Sequence, residues 1–125
     1  MAYKIAAVTE NGEKISSHFG MAPTYVVYTV DEGQIQGSEQ REKPHHGSHG
    51  EHGAHEHGHH GLHDDMFAPI SDCQVLLCGG MGEPAYARAQ QAGLEVVLTG
   101  GDIRQAVEAY LQGAVTSDMR RIHHH

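Results

Sequence analysis

What the sequence lacks narrows its function first. No run of eighteen apolar residues is present, so no segment is built to span a membrane as a helix. Basic residues are few, 8 Lys and Arg against 16 Asp and Glu, for a formal charge of −8. They are scattered and form no stripe, which argues against a nucleic-acid partner. No Ser or Cys elbow, catalytic triad or paired-carboxylate arrangement is visible, so the expectation is a protein that is not an enzyme. The N-terminus (Met1-Ala2-Tyr3-Lys4-Ile5) runs into a strand-like pattern without the shape of a signal peptide. That suggests the cytoplasm, where the 2 cysteines would stay reduced. The length, 125 residues, allows one domain with one core.

What is abundant is histidine, 13 residues in all. Nine lie in residues 44–63, interleaved with Gly, Ser, Ala and Glu: His45, His46, His49, His52, His55, His57, His59, His60 and His63. A segment this polar cannot bury enough apolar surface to offset its ordering entropy, so it reads as a disordered insertion. Its overlapping pairs of neutral imidazoles suit divalent Zn, Cu, Ni or Co, with poor selectivity because no thiolate or carboxylate geometry accompanies them. The alternative is a solvated linker. The histidines titrate near pH 6.5, so mild acid would cancel much of the negative charge. The terminal His123-His124-His125 reads as the remnant of a purification tag.

Around this insertion the pattern is regular. Residues 3–9 and the β-branched, aromatic residues 24–30 read as strands. A turn at Asp31-Glu32-Gly33 leads to a short return strand over residues 34–37, completing a hairpin. Asp64-Asp65 is placed to cap a short helix through Met66, Phe67 and Ile70, limited by Pro69. Residues 73–78 form a continuous apolar run, as in a strand covered on both faces. A helix from Pro84 to Gly93, a strand over residues 95–99 and a helix capped by Asp102 and ended by Gly113 follow. The expected fold class is α/β: a five-stranded mixed sheet in the order 3-2-1-4-5 with flanking helices.

The candidate site lies at the strand ends. Cys78 closes the apolar run just before Gly79-Gly80-Met81-Gly82, at the carboxyl end where ligands gather. Glycine amides ahead of a helix N-terminus attract anions, whether sulfide-bearing clusters, oxyanions or nucleotide phosphates. Gly80-x-Gly82-x-x-Ala85 matches the dinucleotide fingerprint, with Asp102 downstream, although only one βαβ unit is present. The plain alternative is a tight turn needing small residues. Cys73 and Cys78, an odd separation apart on one strand, should face opposite sides of the sheet and form neither a disulfide nor one chelate. His18 stands by itself in Ser16-Ser17-His18-Phe19-Gly20.

The segments Ile15-Ser16-Ser17-His18-Phe19-Gly20-Met21-Ala22-Pro23 and Cys78-Gly79-Gly80-Met81-Gly82, in this order around a variable insertion, carry a resemblance. The chain resembles the dinitrogenase iron–molybdenum cofactor biosynthesis family, the NifX- and NafY-like domains also found at the end of NifB. The resemblance implies a ribonuclease H-like fold without nuclease chemistry. It also implies a binding, carrier or storage role for a metal–sulfur cofactor: an iron–molybdenum cofactor precursor, an iron–sulfur cluster or a molybdenum-containing cluster. Cofactor-assembly proteins are the implied partners, and His18 falls on the position tied to cofactor binding. The long histidine-rich insertion departs from a typical member and points to metal storage or trafficking.

Three readings compete: a cluster carrier, a soluble metal buffer working through the tract, and a nucleotide-binding regulatory module. The carrier is favoured, with the cluster between the His18 loop and residues 79–82. There His18 would supply a nitrogen, Cys78 a thiolate and Met81 a soft thioether, while Gly79, Gly80 and Gly82 would bring backbone close to the charge.

Overall fold

The computed structural model describes residues 2–43 and 66–123. Among these residues seven strands and two α-helices follow one another: β1 (Ala2–Thr9), β2 (Thr24–Asp31), β3 (Gln34–Glu42), β4 (Val75–Cys78), β5 (Met81–Gly82), α1 (Glu83–Gln91), β6 (Glu95–Leu98), α2 (Ile103–Leu111) and β7 (Ile122–His123). Five of the strands form one sheet in the order β3-β2-β1-β4-β6. β1 pairs antiparallel with β2 and parallel with β4, and β4 pairs parallel with β6, so the sheet is mixed and β1 is central. The expected order is therefore observed, with Glu95–Leu98 as the fifth strand of the sheet.

Central strands buried on both faces need apolar residues at consecutive positions, and β1 and β4 have them. From Ile5 to Val8 and from Val75 to Cys78 every side chain is buried. Alternation divides these residues between two cores. Ala6, Val8, Leu76, Cys78, Val96 and Leu98 face one side, where Ala89 of α1 packs. Ile5, Ala7, Val75, Leu77 and Val97 face the other, under Ile103, Ala106 and Val107 of α2. Each large aliphatic chain buried this way contributes about 1.5–3 kcal/mol. α2 starts where Asp102 accepts a hydrogen bond from Gln105 N at 3.1 Å.

Three expectations are corrected here. The return strand runs to Glu42 rather than Gly37, because β3 is an edge strand whose exposed polar residues need no apolar alternation. The helix expected after Asp64-Asp65 is a single 3-10 turn, Ala68–Ile70, capped by no side chain; the two aspartates lie outside the described residues. Cys73 and Cys78 belong to the same core cluster, not to opposite faces. The strand begins only at Val75, so the parity argument does not reach Cys73. Both thiols are free and buried.

Candidate functional site

Because β1 and β4 run parallel side by side, the loop after Thr9 and the turn after Cys78 leave the sheet at the same end. The loop after β1 first reverses on side-chain hydrogen bonds. Thr9 Oγ1 donates to Lys14 O at 2.7 Å and accepts from Gly12 N at 2.9 Å, while Asn11 Oδ1 accepts from Glu13 N and Lys14 N. The returning chain bonds back to the strand it left, Ser16 N donating to Val8 O at 2.8 Å. Ser16 Oγ then donates to Glu10 Oε2 at 2.9 Å and accepts from His18 N at 3.1 Å. Finally His18 O accepts from both Met21 N, at 3.0 Å, and Ala22 N, at 3.1 Å, closing one helical turn.

The glycine turn is zipped to this loop. Gly79 N donates to Ser16 O at 2.8 Å, and Phe19 N donates to Gly80 O at 2.9 Å. A Cβ on Gly79 would stand 2.7 Å from Ser16 O and 3.0 Å from Ser17 Cα, so the approach of the two backbones requires glycine there. The loop also rests on an aromatic stack. Phe19 is buried, with Phe67 stacked on it at 5.3 Å and the Lys43 ammonium 4.4 Å from its ring centre. Burial lowers the Lys43 pKa to about 8, an effect partly opposed by the nearby Cys78. Tyr25 donates from its hydroxyl to Met66 O at 2.6 Å. Lys43 and Met66 flank the histidine-rich stretch, so both of its described flanks are fastened beside the His18 loop.

The expected site residues divide sharply by exposure. His18 is exposed at the mouth of the loop. Cys78 is wholly buried, and its thiol donates to Gly80 O at 3.1 Å. Burial pushes that thiol up to about 12, outweighing the Gly80 contact and the charges of Lys43 and Arg121. Cys78 is thus a core thiol, 0% exposed and bonded to Gly80 O, where a cleft-facing thiolate was expected. Met81, the expected thioether, is likewise buried in the core. Residues 81–82 do not form an anion cradle either. They are extended, paired in parallel with Ile122 and His123, and none of Gly79, Gly80 and Gly82 has the positive φ that a backbone nest uses.

Cys73 precedes β4, at the strand end away from the His18 loop, and burial, with the Asp72 carboxylate beside it, pushes its thiol up to about 12 as well. The nine histidines from His45 to His63 lie outside the described residues. Among the described residues, no group of three or more His, Cys, Asp and Glu side chains could hold a metal ion.

Two contributors have no signal in the sequence pattern. Arg121 reaches across from the C-terminal segment, donating from Nη1 to Gly79 O at 3.1 Å and packing against Gly100. The two-residue strand β7, which includes the backbone of the tag-like His123, covers the turn and is too short to show a period. Met21 is a different case. A methionine in a loop gives no hint that it will be held 60% exposed, and only the folded turn shows it.

Comparison with known proteins agrees with this architecture. Solved structures with the same fold include a dinitrogenase candidate from Methanocaldococcus jannaschii, at 11% identity and a TM-score of 0.67, covering 94% of this chain and 96% of that one. A NifB candidate from Thermotoga matches at 18% identity and a TM-score of 0.65, with 92% of each chain covered. The apo form of the orange protein from Desulfovibrio gigas matches at 25% identity and 0.64, again over 92% of each chain. No curated protein sequence matches. The family model described as dinitrogenase iron-molybdenum cofactor matches residues 1–113, both folded halves and the stretch between them, and the chain belongs to that family.

Proposed function

We propose that this chain binds and carries a preassembled metal–sulfur cluster in the cleft between His18 and residues 79–82, and that it is a carrier rather than an enzyme. Family membership associates the chain with the binding or biosynthesis of iron–molybdenum cofactor. The observation that carries the finer reading is the contrast between the exposed His18 imidazole and the wholly buried Cys78 thiol in the adjoining glycine turn. An iron–sulfur cluster held by the protein's own sulfur needs several accessible thiolates, commonly four. The two buried cysteines cannot supply them. A cluster that brings its own sulfides needs few protein ligands, and an imidazole on a well-braced loop is enough to orient it. The cargo is therefore a thiometallate, molybdenum-containing or of the iron–molybdenum cofactor type, received from and passed to assembly proteins in the cytoplasm. The structural likeness to a protein solved in an apo form is consistent with a fold that gains and loses its cargo.

The histidine-rich stretch adds a second capacity, weak binding of divalent transition metals by imidazole pairs. Its described flanks, Lys43 and Met66, lie beside the His18 loop, which supports assigning both capacities to one chain. Binding there should weaken below about pH 6, as protons compete for the same nitrogens.

Anaerobic reconstitution with thiomolybdate tests the carrier reading, followed by metal content and sulfur-to-metal charge-transfer bands. The wild-type chain and Cys78→Ala should take up cluster, and His18→Ala should lose most of it. Equal uptake by the wild type and His18→Ala would place the cargo elsewhere, and no uptake by the wild type would end the reading.

A further inference from the structure

Among the described residues, the large apolar side chains left exposed are Met21, at 60%, and Met119, at 51%. The two are not equivalent. Met119 Sδ accepts a hydrogen bond from the Tyr86 hydroxyl at 3.8 Å, whereas Met21 belongs to the turn that displays His18. The shared acceptance of Met21 N and Ala22 N by His18 O makes residues 18–22 one helical turn. Residues three apart on such a turn lie on the same face, with Cβ atoms about 5–6 Å apart, and here both project from the protein. That separation lets an imidazole nitrogen and a thioether sulfur meet at one ion.

The backbone of this turn is fixed before any ion arrives. Ser16 Oγ holds its first amide, Gly80 O holds the amide of Phe19, and Phe19 and Ala22 are buried beneath it. A backbone already ordered in this way lowers the entropic cost of binding.

We propose that His18 and Met21 form a soft nitrogen–sulfur chelate for monovalent copper. The proposal rests on the reading of the His18 loop as ligand-bearing and goes beyond it in naming a second ligand and the ion. Thioether sulfur favours soft monovalent copper over the hard ions, which prefer oxygen, and imidazole accepts copper readily. The buried Met81 cannot play this part, and Met21 takes the role expected of it.

Titration of the full chain with Cu(I) under reducing, oxygen-free conditions tests this, with the methionine methyl groups labelled with carbon-13. Residues 44–65 contain no methionine, and copper bound by the histidine-rich stretch is read at Met66, which adjoins it, separately from Met21. The Met21 methyl resonance should shift and saturate while that of Met119 stays in place. His18→Ala should weaken the Met21 response by at least about tenfold, the scale on which even outer-shell changes alter metal sites. Met21→Leu, harmless to folding at an exposed position, should lower the copper stoichiometry by one. A Met21 resonance that does not move through saturation, or one unaffected by His18→Ala, overturns the proposal. No thiomolybdate is present, so this failure is separable from failure of the carrier reading, for which Met21→Leu reconstituted with thiomolybdate is the companion measurement.

Discussion

The His18 turn and the glycine turn stand side by side at one end of the sheet and are hydrogen-bonded to each other, yet they are built for opposite purposes. In the glycine turn everything chemically soft is turned inward: Cys78 and Met81 are core residues, and the backbone is committed to Ser16, Phe19 and the strand formed by Ile122 and His123. In the His18 turn the backbone is equally committed, but His18 and Met21 point outward while Phe19 anchors the loop. The difference teaches that the glycine turn acts as a bracket, while the histidine turn is the one that presents side chains outward, as its proposed ligand role requires. Proximity to a cleft does not make a cysteine a ligand when its side chain alternates into the core.

Substitution of Gly79 should break this division most severely. In Gly79→Ala the new methyl meets backbone of Ser16 and Ser17, which cannot swing aside as a side chain can. The expected loss is roughly 1–3 kcal/mol of stability, by denaturant melting, together with loss of cluster uptake as the two turns separate. Next comes Cys78→Ala, which removes the bond to Gly80 O and leaves a small void, at a cost of about 1–2 kcal/mol. Cluster uptake should survive it. Loss of uptake at unchanged fold would return Cys78 to the ligand set and erase the contrast.

Proton linkage sharpens the same contrast. Cys73 and Cys78 have pKa values raised from 9.0 to about 12 on folding, so they hold protons that the unfolded chain releases. Their contribution is intact below pH 9 and is lost as pH rises toward 12. Lys43 acts in the opposite sense. Its pKa falls from 10.5 to about 8, so between those values the unfolded chain binds more protons and stability rises with pH. Two thiols outweigh one amine, and stability measured by urea titration should decline above about pH 9. In Cys78→Ala the remaining thiol and Lys43 nearly cancel up to about pH 10, above which the raised Tyr110 phenol adds its own loss, and the decline should largely vanish between pH 9 and 10. An unchanged slope would mean that Cys78 is not the protonated thiol described. The smallest effect on stability belongs to His18→Ala, within about 0.5 kcal/mol as for most exposed sites, although its effect on cluster uptake should be the largest of all.

Much of this arrangement is legible in the residues themselves. The apolar runs of β1 and β4, the turn at Asp31-Glu32-Gly33 and the Asp102 cap identify their elements because each is a local signal: burial on both faces, a tight reversal, an orphan amide satisfied. The meeting of the His18 loop with residues 79–82 follows once β1 is placed beside β4. The full length of the edge strand β3 is not legible because its polar residues carry no pattern, and the parity of Cys73 is not legible because an apolar run does not mark the strand's first residue.

What the sequence by itself determined is the order of elements, the mixed sheet, the family and the end of the sheet at which the candidate site lies. These depend on periodicity, turn chemistry and motif, all carried by neighbours in the chain. Tertiary structure alone decided which sulfur atoms are available. Cys78 and Met81 are buried, and Met21 is exposed, by the packing of Phe19 on Phe67, the pairing of β5 with β7 and the closure of Arg121 on Gly79. Those contacts join residues far apart in sequence, and burial is a property of what packs against a side chain rather than of the side chain itself.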